Sequence, residues 1–126
     1  MSADLAEPSA RQLVEAVSGY LEKIAVPALE GHAAFHGKVA INVLAIVARE
    51  LELGPAAAAG ERARLAALLG EDGELDVLRR RLCAQLAAGE ANLATPGLAD
   101  HLLETAAARV RIEQPNYASL KLIAPA

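Results

Sequence analysis

The sequence predicts an all-α fold, a five-helix antiparallel bundle with a mostly buried second helix and a short extended C-terminal tail. Three observations predict it. Alanine and leucine, two of the best helix formers, supply 50 of the 126 residues, 30 and 20 respectively. Only three aromatic residues occur (Tyr20, Phe35 and Tyr117) and tryptophan is absent, which argues against a β-sandwich and against surfaces that stack nucleic-acid bases. Proline and glycine fall at intervals that cut the chain into helix-sized pieces joined by short connections, the arrangement that places successive helices side by side.

Each helix carries its own signals. Ser9 and Gln12 form the capping-box pair that opens the first, and Leu13, Val17, Tyr20 and Ile24 then fall on one face at spacings of four, three and four. Pro27 stops or kinks this helix, because its ring removes a donor and crowds the preceding turn. A second helix is expected from Gly31 to about Leu53. Gly54-Pro55 should close it and open a third that ends near Gly70. Glu71-Asp72-Gly73 reads as a tight polar turn. The fourth helix carries Leu75, Leu78, Leu82 and Leu86 on one stripe and ends at Gly89. Thr95-Pro96 should cap the fifth, which reaches about Glu113 before Pro115 forbids continuation. The whole chain, 1–126, reads as one helical domain with an ordered core of about 9–114 and a tail from 115 onward.

The second helix is apolar most of the way round. Phe35, Val39, Val43, Ile46 and Val47 form one face, and only Lys38, Asn42, Arg49 and Glu52 make a polar edge. Such a helix belongs at the centre of a bundle or partly at a subunit interface. The tail residues Tyr117, Leu120, Leu122 and Ile123 are also too apolar for a solvated end. With 54% of the residues hydrophobic, a two-fold homodimer is the expected place for the surplus.

Charge and cysteine content narrow the function classes. A formal charge of −4 offers no broad basic field for phosphate backbones, so no nucleic-acid partner is expected. Arg79-Arg80-Arg81 does not alter this, because consecutive helical residues point about 100° apart. The lone Cys83 fits a reducing compartment and reads as a small core residue. The first residues show no signal-peptide pattern, and the longest uncharged apolar run, Val39–Ala48, is far short of a membrane span. A cytoplasmic protein without a membrane role is the expectation.

Four polar residues occupy apolar stripes. His36 and Glu50 lie seven residues either side of Val43, about 21 Å apart along the axis. Arg79 sits among Leu75, Leu82 and Leu86, and Arg109 follows Leu102 by seven. One carboxylate and two guanidiniums facing an interior predict that Glu50 pairs with Arg79 or Arg109, since an unpaired buried charge is expensive. His36, Glu50, Arg79 and Arg109 are therefore the candidate ligand-binding residues for an anionic small molecule, in a binding or enzymatic bundle. The alternative is a structural salt bridge, or long arginine stems lying on apolar surface with their heads in water, with His36 a hydrogen-bonded core histidine and His32 capping a turn. His32 and His36 have the spacing of two metal ligands on one helix, but a zinc site needs more, so neither metal nor cofactor is expected. Gly31–Val39 departs from a phosphate-binding loop in its spacing, in lacking the hydroxyl and in lacking a preceding strand. Nothing assembles into a nucleophile with its base, so no catalytic residue is assigned.

The string Ala34-Phe35-His36-Gly37-Lys38-Val39-Ala40, followed by Ala45-Ile46-Val47-Ala48-Arg49-Glu50-Leu51-Glu52-Leu53-Gly54-Pro55, is distinctive. With Leu82-Cys83 and Ile112-Glu113-Gln114-Pro115-Asn116-Tyr117, it resembles a family of small helical bacterial proteins of unassigned function, over about residues 9–120. Members of that family are often encoded beside phosphotransferases of the aminoglycoside-kinase type and acyl-CoA dehydrogenases. The resemblance implies an accessory role in acyl-CoA or fatty-acid catabolism through that genomic association, and carries no catalytic residue over; the missing catalytic constellation and the surplus apolar surface make a non-catalytic protein that binds such an enzyme the expectation.

Overall fold

The computed structural model describes residues 7–123; the expectations on the first six residues and the last three lie outside it. Among the described residues the chain is helical and has no strand. It divides into two compact units, the first reaching Leu53 and the second beginning at Gly54.

Helix α1 spans Ala10–Tyr20. Its capping box forms as the sequence predicts: the Gln12 backbone N–H donates to Ser9 Oγ (3.2 Å), and the Ser9 N–H donates to Gln12 Oε1 (2.7 Å). Past Tyr20 the helix widens into a π-helical turn, Leu21–Ala25, and then tightens into a 3₁₀ turn, Val26–Ala28. Pro27 lies in that tight turn. Its missing N–H and its ring disfavour an ordinary α turn there, and the helix changes pitch before it ends.

Helix α2 spans Gly31–Leu69, 39 residues, and contains Pro55. Among the described residues four α-helices therefore stand where five were expected, because Gly54-Pro55 does not break the helix. Two local facts explain the continuity. The residue before a proline is pushed out of the α region largely through its Cβ, which Gly54 lacks. The flanking segments, Arg49–Leu53 and Ala56–Ala59, are strong helix formers. The boundary between the two units nonetheless falls at this Gly-Pro step. Helix α2 ends at Gly70, whose φ of 72° is readily adopted only without a side chain, and whose N–H donates to the Ala66 carbonyl (2.9 Å). Long as it is, neither α2 nor any other described helix is apolar enough to cross a membrane.

Within the first unit, α1 and the Gly31–Leu53 part of α2 run antiparallel. Arg11, near the start of α1, reaches Glu52 at 3.4 Å, and Val26, past its end, lies against Gly37. A Cβ on Gly37 would stand 2.6 Å from Val26 Cγ2, so the missing side chain permits that approach. The Gly31–Leu53 segment was expected to be buried, yet none of its residues is. Phe35 is 62% exposed, and Val39, Val43, Val47 and Leu51 are exposed as well. Two helices can cover only one side of each other, which leaves the rest of an all-round apolar helix open.

The second unit has three helical segments and closes a core. Helix α3 spans Leu75–Ala87 and α4 spans Leu98–Glu113. Leu65 of α2, Leu78 and Leu82 of α3, Ala91 and Leu98 pack together, with Leu68, Leu69 and Leu75 against them. The α3 stripe is thus inward as its period predicts, although Leu86 at its end is exposed and Cys83, expected in the core, is exposed too. Thr95 does not cap α4. Its hydroxyl accepts from the Asn92 N–H (3.0 Å) within a turn, and Gly97, at φ 83°, takes the cap position. The tail is not extended: Ala118–Leu122 forms a 3₁₀ turn, with Tyr117 and Leu122 exposed.

Leu65 is 1% exposed, whereas Leu122 is 86% exposed. Leu65→Ala should lower stability by about 2–4 kcal/mol through lost burial and a residual cavity, and Leu122→Ala by less than about 0.5 kcal/mol. Urea unfolding of the two variants measures the difference.

Candidate functional site

The polar centre of the molecule lies in the second unit and is built on one helical face. Glu61, Arg64, Leu65 and Leu68 succeed one another at spacings of three, one and three on α2, so a carboxylate and a guanidinium flank the core leucine. Glu61 is buried beside Leu65. Its partner comes from α3: Arg79 Nε donates to Glu61 Oε2 and Arg79 Nη2 to Oε1, both at 2.6 Å. This is a two-pronged guanidinium–carboxylate pair, the geometry in which such contacts are strongest. The arginine stays half in water while the carboxylate is closed off. The bonds from Arg79 hold the Glu61 carboxyl below the ordinary carboxylate range, against the opposing effect of burial. The same bonds push the Arg79 guanidinium up.

One turn along α2, Arg64 reaches α4. Its Nε donates to Nδ1 of His101 (3.1 Å) and its Nη2 to Oγ1 of Thr105 (3.1 Å). His101 is 4% exposed, and it is the buried histidine of the described residues. Burial lowers its pKa, and the Arg64 charge lowers it further, with Glu61 opposing. His101 and Arg64 both line an open cleft of about 650 Å³ beside Leu68, Pro96, Asp100 and Glu104. Glu104 is held by Arg111 at 3.1 Å.

Of the residues singled out by the sequence, His36 and Glu50 lie in the first unit and Arg79 and Arg109 in the second. Arg79 finds an interior carboxylate in Glu61. Arg109 Nε donates to Glu113 (2.6 Å) one turn further along α4, both side chains being about half exposed. Glu50 belongs to the first unit and is exposed. His36 is exposed as well, with its ring edge-on to that of Phe35 at a centroid distance of 5.6 Å, so it is not a core histidine. No group of three or more histidine, cysteine, aspartate or glutamate side chains among the described residues is placed to hold a metal ion.

Glu61, Arg64 and His101 were missed, although a signal for them exists. Glu61 precedes Leu65 by four and Leu68 by seven, and His101 lies between Leu98 and Thr105 at three and four. Each interrupts an apolar stripe in the way that drew attention to Glu50 and Arg79.

A family described as a domain of unknown function, DUF6285, matches residues 27–117, and the chain belongs to that family. No curated protein and no solved structure matches the chain.

Two predictions follow from the pairing. Arg79→Met leaves Glu61 buried without its donors and should cost about 1.5–3 kcal/mol. Combining it with Glu61→Leu should recover most of that loss, as a double-mutant cycle in urea would show. For pH the sign is fixed by which state holds the proton. Unfolded His101 titrates near 6.5 and folded His101 lower, so between those values the unfolded chain binds the extra proton. Stability should therefore fall as pH drops below about 6.5. It should fall again below about 4.5 as Glu61 protonates through its lowered folded value. Urea midpoints between pH 4 and 8 should lose the upper step in His101→Gln.

Proposed function

We propose that this member of a family without an assigned role is a non-catalytic helical interaction protein that works as a homodimer and docks on an enzyme. The observation that carries the reading is an amphipathic helix turned outward. Leu13, Val17, Tyr20 and Ile24, on α1 and the turn after it, are all more than half exposed. The side of α1 that faces α2 carries Arg11, Val14, Glu15 and Ser18, opposite Leu44, Ala48 and Glu52. A helix pair gains nothing by burying its polar side and leaving its apolar side in water. The pattern makes sense when a further surface covers it.

A second copy of the chain suits that surface. The four-three-four spacing of the α1 stripe is the seam of helix pairs that interlock their side chains, and a two-fold axis sets the same spacing opposite itself. Phe35, Val39, Val43, Val47 and Leu51 extend the apolar surface on α2. Nine such side chains, at about 100 Å² of open surface each, amount to roughly 800–900 Å² per copy, the size of an ordinary stable interface. A phosphotransferase-like kinase or an acyl-CoA dehydrogenase is the client that the sequence resemblance supplies, linking the protein to acyl-CoA metabolism. The single cysteine suits the cytoplasm as its compartment.

Light scattering at micromolar concentration should give twice the 13.1 kDa chain mass, and Val17→Glu should halve it while leaving the helical circular dichroism intact. A monomeric parent chain would sink the dimer. Native-host purification should recover a kinase or dehydrogenase of the named types, and its absence would count against the accessory role.

A further inference from the structure

The exposed face of the Gly31–Leu53 segment has the same character read from either end. Phe35, Val39, Val43, Val47 and Leu51 follow one another at intervals of four, and all five are exposed. About Val43, Phe35 corresponds to Leu51 and Val39 to Val47, so each apolar side chain has an apolar counterpart at the same distance. The polar residues of this face obey the same symmetry with opposite character. His36 and Glu50 stand seven residues on either side of Val43, project within about 20° of it around the helix, and are both exposed. They are about 21 Å apart along the axis and cannot meet within one chain. A face made for a different protein has no need of such symmetry. A two-fold contact between identical helices requires it, since each residue there meets the one equally far from the axis on the other side.

Helix α1 has its centre at the same height. Arg11 meets Glu52, and Val26 lies against Gly37. Tyr20 is nine residues from Arg11 and six from Val26, and Val43 is nine from Glu52 and six from Gly37, so the two stand about level. The exposed α1 stripe brackets that level, with Val17 three residues before Tyr20 and Ile24 four after it. One axis therefore suits both helices. We infer that two copies pair antiparallel through α2 with the two-fold axis at Val43, and that an imidazole N–H of His36 donates to Glu50 of the partner subunit, twice per dimer. A carboxylate has lone pairs for several donors, so Glu50 takes this one in addition to any within its own chain. The pair selects the orientation: parallel pairing of the same faces would set Glu50 against Glu50, which like charge disfavours. The inference rests on the homodimer proposed above and adds its register and the contact that selects it. Every residue used lies in the first unit.

Charge exchange in the full chain, read by sedimentation equilibrium, tests the pair. His36→Glu is a change at an exposed position and should leave the helical circular dichroism intact. It should weaken the dimer by about thirtyfold or more, because carboxylates then meet at both ends of the contact. Adding Glu50→Lys should bring the affinity back to within about fivefold of the parent. The two positions are too far apart within a chain for that rescue to arise there. Disulfide formation reads the register, with the exposed Cys83 removed by Cys83→Ser. Val43→Cys should oxidise to a covalent dimer, because a residue on the axis faces itself. Val39→Cys and Val47→Cys should not cross-link singly, each being about 12 Å from its own copy, but should do so when the two variants are co-expressed. A monomeric parent chain overturns both the dimer and this inference. A dimeric parent overturns the inference alone if His36→Glu keeps the parental affinity, if Glu50→Lys gives no rescue, or if Val43→Cys stays uncross-linked.

Discussion

Glu61 keeps its charge in an interior that would otherwise expel it, and the second unit is arranged around that requirement. The carboxylate cannot be left alone beside Leu65, so α3 must present Arg79 at one place and in one orientation. A slip of α3 by one residue would swing Arg79 about 100° away and leave the carboxylate bare. The pair therefore fixes how α3 lies on α2 more than it adds to net stability. The leucines on either side of it, Leu65, Leu78 and Leu82, pack into one core cluster in the same register. Arg64, one turn on, sets α4 in the same way through His101 and Thr105. Two arginines thus position the two flanking helices, and a cleft remains where α4 begins.

Much of this fold was legible in the residues. The Ser9–Gln12 box, the stops at Gly70 and Gly89 and the α3 stripe follow from local chemistry, and the structure has them. Gly54-Pro55 was misleading because two opposed effects share one dipeptide. Proline forbids a hydrogen bond, but a preceding glycine removes the clash that usually turns the chain aside. Thr95 was misleading for a related reason: its hydroxyl had a nearer donor in Asn92. At the site, periodicity could say that Arg79 needs an interior carboxylate, but not which one. Glu50 and Glu61 both interrupt apolar stripes, and only the tertiary arrangement decides between them.

The two units show what periodicity can and cannot establish. An apolar face records what the helix would bury, not whether its own chain can bury it. In the second unit three segments surround Leu65, and the expectation of a closed core holds. In the first unit two helices cannot surround anything, so Phe35 and Val43 stay in water and the apolar side of α1 with them. The same composition gives a filled interior in one half and an open surface in the other.

The three consecutive arginines of α3 have a consequence for behaviour in salt. Arg79 is engaged by Glu61 of α2, Arg80 by Asp76 one turn earlier on α3, and Arg81 by Glu71 in the preceding connection. The last two pairs are exposed or nearly so and are open to screening, while the first has its carboxylate out of reach of mobile ions. Rising ionic strength therefore loosens Arg80 and Arg81 and leaves Arg79 in place. A run that reads as one polycationic segment divides into a permanent structural cation and two that the electrolyte can release.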